Sequence, residues 1–125
     1  MANYSKQREA ILTELRSRHD HPTAAQVYDS VRRVLPNISL GTVYRNLSAL
    51  TESGEIISLS VGDGHEHFDG DKSLHLHLHC KACGQITDRP LESDALRKSA
   101  LFDGFTPENS VCVVYGLCKN CQKQN

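Results

Sequence analysis

Apolar residues in the first half of the chain recur at the three- and four-residue spacing of helices that bury one face. The pattern predicts three helices: one capped by Ser5, a second opened by Thr23 and Gln26 at capping-box spacing, and a third capped by Ser39 and ended at Gly54. Their inward positions are expected at Ala10, Ile11, Leu12, Leu15, Val27, Val31, Val34, Leu35, Leu40, Val43, Leu47 and Leu50.

A β-hairpin is predicted directly after these helices. Ile57, Leu59 and Val61 alternate with polar residues, and Gly62-Asp63-Gly64 joins this segment to the sequence HEHFD. Three helices followed by a small hairpin form the layout of a winged helix-turn-helix.

The second half has a different pattern. The segments LHLHLHC, GQITD and SVCVVYGLC predict strands, the last of them buried, and LESDALRKSALF predicts a short helix. We therefore expect an α+β protein with a winged helix-turn-helix domain over 1–68, a hinge over 69–73 and a small α/β domain over 74–125.

Composition limits the location and partners of the chain. The 125 residues carry a formal net charge of −1, so charge alone does not indicate nucleic-acid binding. No apolar run has the length of a membrane span, and no signal-peptide pattern is present, so a cytoplasmic protein without a membrane partner is expected. Thiols stay reduced there, and the five cysteines are better explained as metal ligands than as disulfides.

Four of the cysteines form two C-x-x-C pairs, Cys80/Cys83 and Cys118/Cys121. Four thiolates can close a tetrahedron around Zn²⁺, which leaves no open position and indicates a structural role. A redox-active pair or unligated core cysteines are the alternatives. Cys112, on a Val-rich segment, is interpreted as a buried apolar residue.

The alternation HLHLHC places three histidines on one face of a strand and Leu74, Leu76 and Leu78 on the other, inward face. The outer two histidines lie about 13 Å apart, so a neighbouring pair rather than all three is expected to share one ion. A solvated polar face is the alternative. Candidate partner ligands are His21, His65, Glu66, His67, Asp69 and Asp88.

With these features the sequence resembles the ferric uptake regulator (Fur) family of metal-dependent repressors over nearly its whole length. The motifs that carry the resemblance are HPTAAQVY (21–28), SLGTVYRNLSAL (39–50), SGEI (53–56), HFD (67–69), HLH (75–77), CKACG (80–84), ITD (86–88), GF (104–105) and YGLCKNC (115–121).

The resemblance implies a DNA-binding winged helix, a C-terminal dimerisation domain, structural Zn²⁺ at the four paired cysteines and a regulatory Fe²⁺ or Mn²⁺ at the hinge. The implied regulatory ligands are His21, Asp69, His75, His77 and Asp88. The two aspartates are similar to the peroxide-sensing branch, in which Fe²⁺ promotes oxidation of a ligating histidine. Reversible sensing of iron, zinc or manganese is the alternative within the family, and a metalloenzyme is the remote one; no enzymatic activity is expected.

Departures from the family pattern are also visible. The chain is expected to lack the usual leading helix, and His67 stands where the family usually has Arg. His65, His67 and His79 lie outside the five-ligand set and are candidates for a second, weaker metal site.

The third helix is predicted to read DNA as part of a homodimer bound to a palindromic operator. With its apolar face inward, Thr42, Arg45 and Asn46 are expected to face outward, with Tyr44 at the flank. Arg45 can donate two hydrogen bonds to guanine, and Ser39 near the helix N-terminus suits a phosphate. The alternatives are packing of Tyr44 on the second helix and a solvated Arg45.

Overall fold

The computed structural model describes residues 2–73, 75–91, 98–99, 101, 103–106 and 111–122. They form two compact units, Met1–Lys72 and Ser73–Asn125. The predicted short helix over 91–102 falls mostly outside the described residues, as does Leu74. The division of the chain into a winged helix, a hinge over 69–73 and a C-terminal domain stays a prediction.

The first unit contains three helices and a hairpin. The helices are α1 (Ala2–Arg16), α2 (Ala24–Val31) and α3 (Leu40–Glu52). The hairpin pairs β1 (Ile57–Ser60) with β2 (Glu66–Asp69) in antiparallel register. This is the expected winged helix-turn-helix layout.

Local capping signals place the ends of these helices. The Thr23 side chain accepts from the Gln26 backbone N–H, and the Gln26 side chain accepts from the Thr23 backbone N–H, which completes the predicted capping box. Ser39 caps α3 by accepting from the Thr42 backbone N–H. Gly54 has φ 82°, a conformation that favours glycine, directly after the α3 C-cap.

The core of the first unit is apolar and draws on every one of its helices as well as on the hairpin. Burial of these side chains is the main stabilising contribution to the unit. The buried cluster consists of Ile11, Leu12, Leu15, Ala24, Val27, Val31, Ile38, Val43, Leu47, Leu50, Ile56 and Phe68.

Three local expectations for the first unit are wrong. Ser5 lies inside α1, which begins at Ala2 rather than after Ser5. Val34 is 73% exposed, because α2 ends at Val31 and the chain turns before Val34 reaches the core. Leu40 is 39% exposed, because it opens the first turn of α3 beyond the edge of the core.

The second unit contains a three-stranded sheet with the order β4-β3-β5. The strands are β3 (His75–Cys80), β4 (Ile86–Pro90) and β5 (Cys112–Gly116), and a short helix, α4 (Lys119–Gln122), follows. β3 pairs antiparallel with β4 and parallel with β5.

The face assignments of this sheet differ from the prediction. The expected inward residue Leu78 is exposed, whereas His75 and His77 are buried. β5 is partly exposed rather than buried, and Cys112 is half-buried. Polar partners on the histidine face compensate for burial, a balance that alternation of residue types does not reveal.

Candidate metal centres and nucleic-acid interface

The four paired cysteines come together at one end of the second unit's sheet. Cys80 ends β3, Cys83 lies in the following turn, Cys118 follows β5 and Cys121 lies on α4. Their sulfur atoms all lie within 4.8 Å of one another. Four sulfurs in one group have the composition and closeness of a closed, structural Zn²⁺ site.

Hydrogen bonds prepare one of these thiols to act as a thiolate. The backbone N–H of Cys118 donates to the Cys80 sulfur at 3.3 Å, and this contact is the largest cause that lowers the pKa of Cys80 to about 5. The neighbouring thiols, Cys118 first, raise the pKa of Cys121 to about 12. Four sulfurs this close cannot all carry negative charge without a cation, so the group favours a divalent metal over a redox pair.

A second donor group lies on the histidine face of the same unit. His75 Nδ1 lies 2.7 Å from the Ser73 carbonyl oxygen, and His77 Nδ1 lies 3.3 Å from the Cys112 carbonyl oxygen. Because a carbonyl oxygen only accepts, each Nδ1 donates, which leaves Nε2 as the nitrogen that could bind a metal. Both Nε2 atoms face Asp88 Oδ1, at 3.4 and 3.8 Å. Carbonyl-held imidazoles beside a carboxylate are typical of metal ligands.

The third histidine of the strand has a different environment. His79 packs edge-on against Tyr115, with ring centroids 5.7 Å apart. The rings of His75 and His77 lie only 4.3 Å apart. The geometry therefore brings together a neighbouring pair of histidines and leaves His79 outside it.

The first unit holds another histidine and aspartate pair. His21 Nδ1 lies 3.5 Å from Asp69 Oδ2, and the two side chains are 1% and 3% exposed. Asp69 Oδ1 accepts from the Asp71 backbone N–H at 2.9 Å, which fixes the orientation of the carboxylate. Asp69 is the last residue of β2.

The remaining candidate histidines lie apart from the metal-donor groups found among the described residues. Both ring nitrogens of His67 are engaged, one with the His21 carbonyl and the other with Asp63. His65 is exposed on the hairpin. Within the described part of the chain, His65, His67 and His79 belong to no group of metal-donor atoms. The sequence did not reveal the contact between Asp63 and His67, although Asp63 lies four residues before His67 across a glycine turn.

Helix α3 presents part of the predicted DNA-contacting surface. Tyr44 is 50% exposed, which excludes full packing against α2, and Arg45 is also exposed. Arg45 donates to the Thr42 hydroxyl at 3.0 Å, and the Thr42 hydroxyl lies 2.8 Å from that of Ser39.

Asn46 does not face outward as expected. It is 4% exposed, and its side-chain amide donates to the Thr42 carbonyl one turn earlier at 2.9 Å. A polar side chain on the flank of the apolar stripe is buried at low cost when it bonds the backbone of its own helix. Asn46 therefore belongs to the packing of α3, and Arg45 and Tyr44 remain available.

A winged-helix unit followed in the chain by a small sheet unit, with thiolate and imidazole–carboxylate donor groups, is the arrangement of a metal-responsive DNA-binding regulator. The model of the Ferric uptake regulator family matches residues 2–102, and the chain belongs to this family. Members of the family are dimeric transcriptional regulators, and no catalytic family is indicated. The predicted cofactors, structural Zn²⁺ and regulatory Fe²⁺ or Mn²⁺, are confirmed by this membership together with the two kinds of donor set.

Within the family, the chain is similar to individual peroxide-responsive and ferric uptake regulators. The peroxide-responsive repressor PerR of Staphylococcus aureus strain USA300 is 36% identical over 118 residues, 93% of this chain and 80% of that protein. The crystal structure of the Campylobacter jejuni peroxide stress regulator superposes with a TM-score of 0.83 at 29% identity, covering 96% of this chain and 92% of that one. The Helicobacter pylori ferric uptake regulator shares the fold at a TM-score of 0.76 and 24% identity, with 94% and 80% coverage.

Among the described residues, the helices are all too short or too polar to cross a membrane.

Proposed function

We propose that the protein is a homodimeric repressor that releases its operator when peroxide oxidises a histidine in an Fe²⁺ site. The observation that carries this proposal is the donor set: imidazole nitrogens together with two aspartate carboxylates, and no cysteine. Such N and O donors suit Fe²⁺ or Mn²⁺ and leave the thiolate site to Zn²⁺. The similarity to peroxide-responsive regulators supports the same conclusion.

The proposed regulatory ligands are the histidine and aspartate side chains described above, two from the first unit and three from the second. The first unit would contribute His21 and Asp69, and the second unit His75, His77 and Asp88. An ion bound by both would join the DNA-reading unit to the sheet unit. The structural Zn²⁺ is assigned to the four paired cysteines.

The chain's own residues prepare the site in specific ways. The carbonyls of Ser73 and Cys112 hold the two strand histidines with Nε2 directed to the metal position. Asp88 faces both of those atoms. Fe²⁺ bound there would supply the redox chemistry by which H₂O₂ transfers one oxygen atom into an imidazole C–H bond while its other oxygen leaves as water, a two-electron oxidation overall. An oxidised ring at His21 or His75 would no longer be a good ligand.

DNA binding is assigned to Ser39, Thr42, Tyr44 and Arg45 of the α3 region, in a cytoplasmic repressor acting on a palindromic site. Homodimer formation is supported by the exposed apolar pair Leu78 and Val114, which lie side by side in the parallel register of β3 and β5.

Mass spectrometry of the iron-loaded protein tests peroxide sensing. After H₂O₂ treatment we expect a peptide containing His21 or His75 to gain the mass of one oxygen atom, with loss of operator binding in a mobility-shift assay. The Mn²⁺-loaded protein is the matched control and should stay unmodified and bound. Unmodified histidines and intact binding in the iron form would instead assign the protein to reversible metal sensing.

A further inference from the structure

His67 connects the hairpin turn to the loop that carries His21. Its Nδ1 lies 2.7 Å from the His21 carbonyl oxygen, and its Nε2 lies 2.6 Å from Asp63 Oδ2. We infer that His67, oriented by Asp63, is a positioning residue that holds the His21 backbone in the conformation needed for metal binding. This inference rests on the proposed role of His21 as a ligand.

The hydrogen-bond chemistry of His67 is determined by its two partners. The His21 carbonyl oxygen only accepts, so Nδ1 donates to it, and Nε2 forms the second hydrogen bond, with the Asp63 carboxyl group. The contact with His67 is also the largest cause that lowers the pKa of Asp63. The ring is 12% exposed, so its bond to the His21 carbonyl is partly shielded from competing water, whereas its bond to Asp63 lies at the surface. The His67 ring is thus held by a hydrogen bond at each of its two nitrogens.

The His21 backbone requires such support. His21 has φ 54°, and it is the one residue other than glycine with positive φ among the described residues. This conformation costs free energy for a residue with a Cβ, and the following Pro22 narrows the choices further. The surrounding structure must therefore hold the residue in place.

Backbone contacts put His67 in the correct position to do this. The Phe68 N–H donates to the Pro22 carbonyl at 3.0 Å, and His67 and Thr23 form an isolated antiparallel bridge. These contacts lay β2 alongside the segment that follows His21. The His67 side chain then reaches back to the His21 carbonyl.

Asp63 extends the link to the tip of the hairpin. One carboxylate oxygen binds His67, and the other accepts from the His65 backbone N–H at 3.0 Å. The turn between β1 and β2 and the ligand loop are consequently parts of one hydrogen-bonded chain. A change in the position of His21 would be transmitted to the hairpin tip, which is the wing of the DNA-binding unit.

Two amide variants of His67 each keep only one of the ring's two hydrogen bonds. In His67→Asn the amide nitrogen stands near the Nδ1 position and can still donate to the His21 carbonyl, whereas in His67→Gln it stands near Nε2 and can reach only Asp63. Mn²⁺ binding, measured by the loss of the free-ion signal in electron paramagnetic resonance, should weaken about tenfold or more in His67→Gln and less than about threefold in His67→Asn. His65→Gln, on the exposed part of the same hairpin, is the matched control and should bind as the wild type does.

The outcomes are distinguishable from failure of the proposed metal site. Wild-type affinity in His67→Gln, with loss of Mn²⁺ binding in His21→Ala, would overturn the positioning role alone. Equal losses in both His67 variants, accompanied by equal falls in melting temperature, would overturn it as well, because they would indicate a general structural contribution. Wild-type binding in His21→Ala would remove His21 from the ligand set and with it the basis of the inference.

Discussion

Single residues on α3 differ sharply in what they can contribute to DNA recognition. Arg45 is exposed, and its guanidinium is held by the Thr42 hydroxyl one turn earlier. Asn46, its neighbour in sequence, is buried, and its side-chain amide donates a hydrogen bond to the backbone of the same helix. Adjacent polar residues on one helix thus differ: Arg45 is exposed and available for the proposed base contact, and Asn46 belongs to the packing of the helix.

Replacing Arg45 by Ala is expected to weaken operator binding by about 1–3 kcal/mol, because a bidentate contact to guanine would be lost. A mobility-shift titration in the presence of Mn²⁺ measures the change. Arg89→Ala, which removes an exposed arginine from β4, is the matched control and should retain binding. Equal affinities for the two variants would argue against base contact by Arg45.

At the scale of elements, the capping box of α2 fixes where the second helix begins. Reciprocal bonds between Thr23 and Gln26 satisfy two backbone N–H groups that the helix itself cannot. The box starts two residues after His21, so it also ends the loop that carries this proposed ligand.

Thr23→Ala should lower the free energy of unfolding by about 1 kcal/mol, since the hydroxyl that accepts from the Gln26 N–H is removed. Urea unfolding of the metal-loaded protein followed by circular dichroism measures the change. Thr23→Ser keeps the hydroxyl and should stay close to the wild type. A similar loss in both variants would mean that the threonine methyl group, and not the cap, carries the stability.

Elements with local signals were predictable from the sequence. Both helix caps, the glycine after α3, the hairpin and the gathering of four thiols each depend on residues that lie close together along the chain or on a repeated spacing. The burial of β3 was not predictable in the same way. Whether histidines or leucines face inward depends on carbonyl and carboxylate partners supplied by residues distant in sequence, such as Cys112 and Asp88.

The metal sites could be foreseen only in part for the same reason. Ligand types and the preference for a pair of strand histidines follow from spacing, whereas the link through Asp63 and His67 to His21 spans 46 positions of sequence. The positive φ of His21 is equally invisible in a residue pattern, because it results from contacts that form only in the folded unit.

At the scale of the whole molecule, stability is supplied differently in the two units. The first unit has a continuous apolar core, whereas the buried apolar residues described in the second are Cys80 and Ile86. A Cys₄ zinc site supplies an apparent binding free energy of about 10–16 kcal/mol, which a thin sheet could not obtain from burial alone.

The double variant Cys118→Ser/Cys121→Ser is therefore expected to lose its structural zinc and the ordered fold of the second unit. Elemental analysis gives the zinc content, and amide hydrogen exchange resolves protection in β3 and β5. Cys112→Ser is the matched control, because Cys112 lies outside the thiol group, and it should keep its zinc. Full protection of the sheet in the zinc-free double variant would contradict a structural role.

The parallel pairing of β3 with β5 has a consequence for how the molecule is made. The two strands are far apart along the chain, and thiols from beyond β5 complete the sulfur cluster that begins at the end of β3. Closing so large a loop costs entropy that is recovered only once the cation is bound. During translation, the helices and hairpin of the first unit can fold once their own residues have been synthesised. The sheet of the second unit can be stabilised by zinc only after Cys121 has been added. Zinc supply during translation would then limit the number of repressor molecules competent to dimerise.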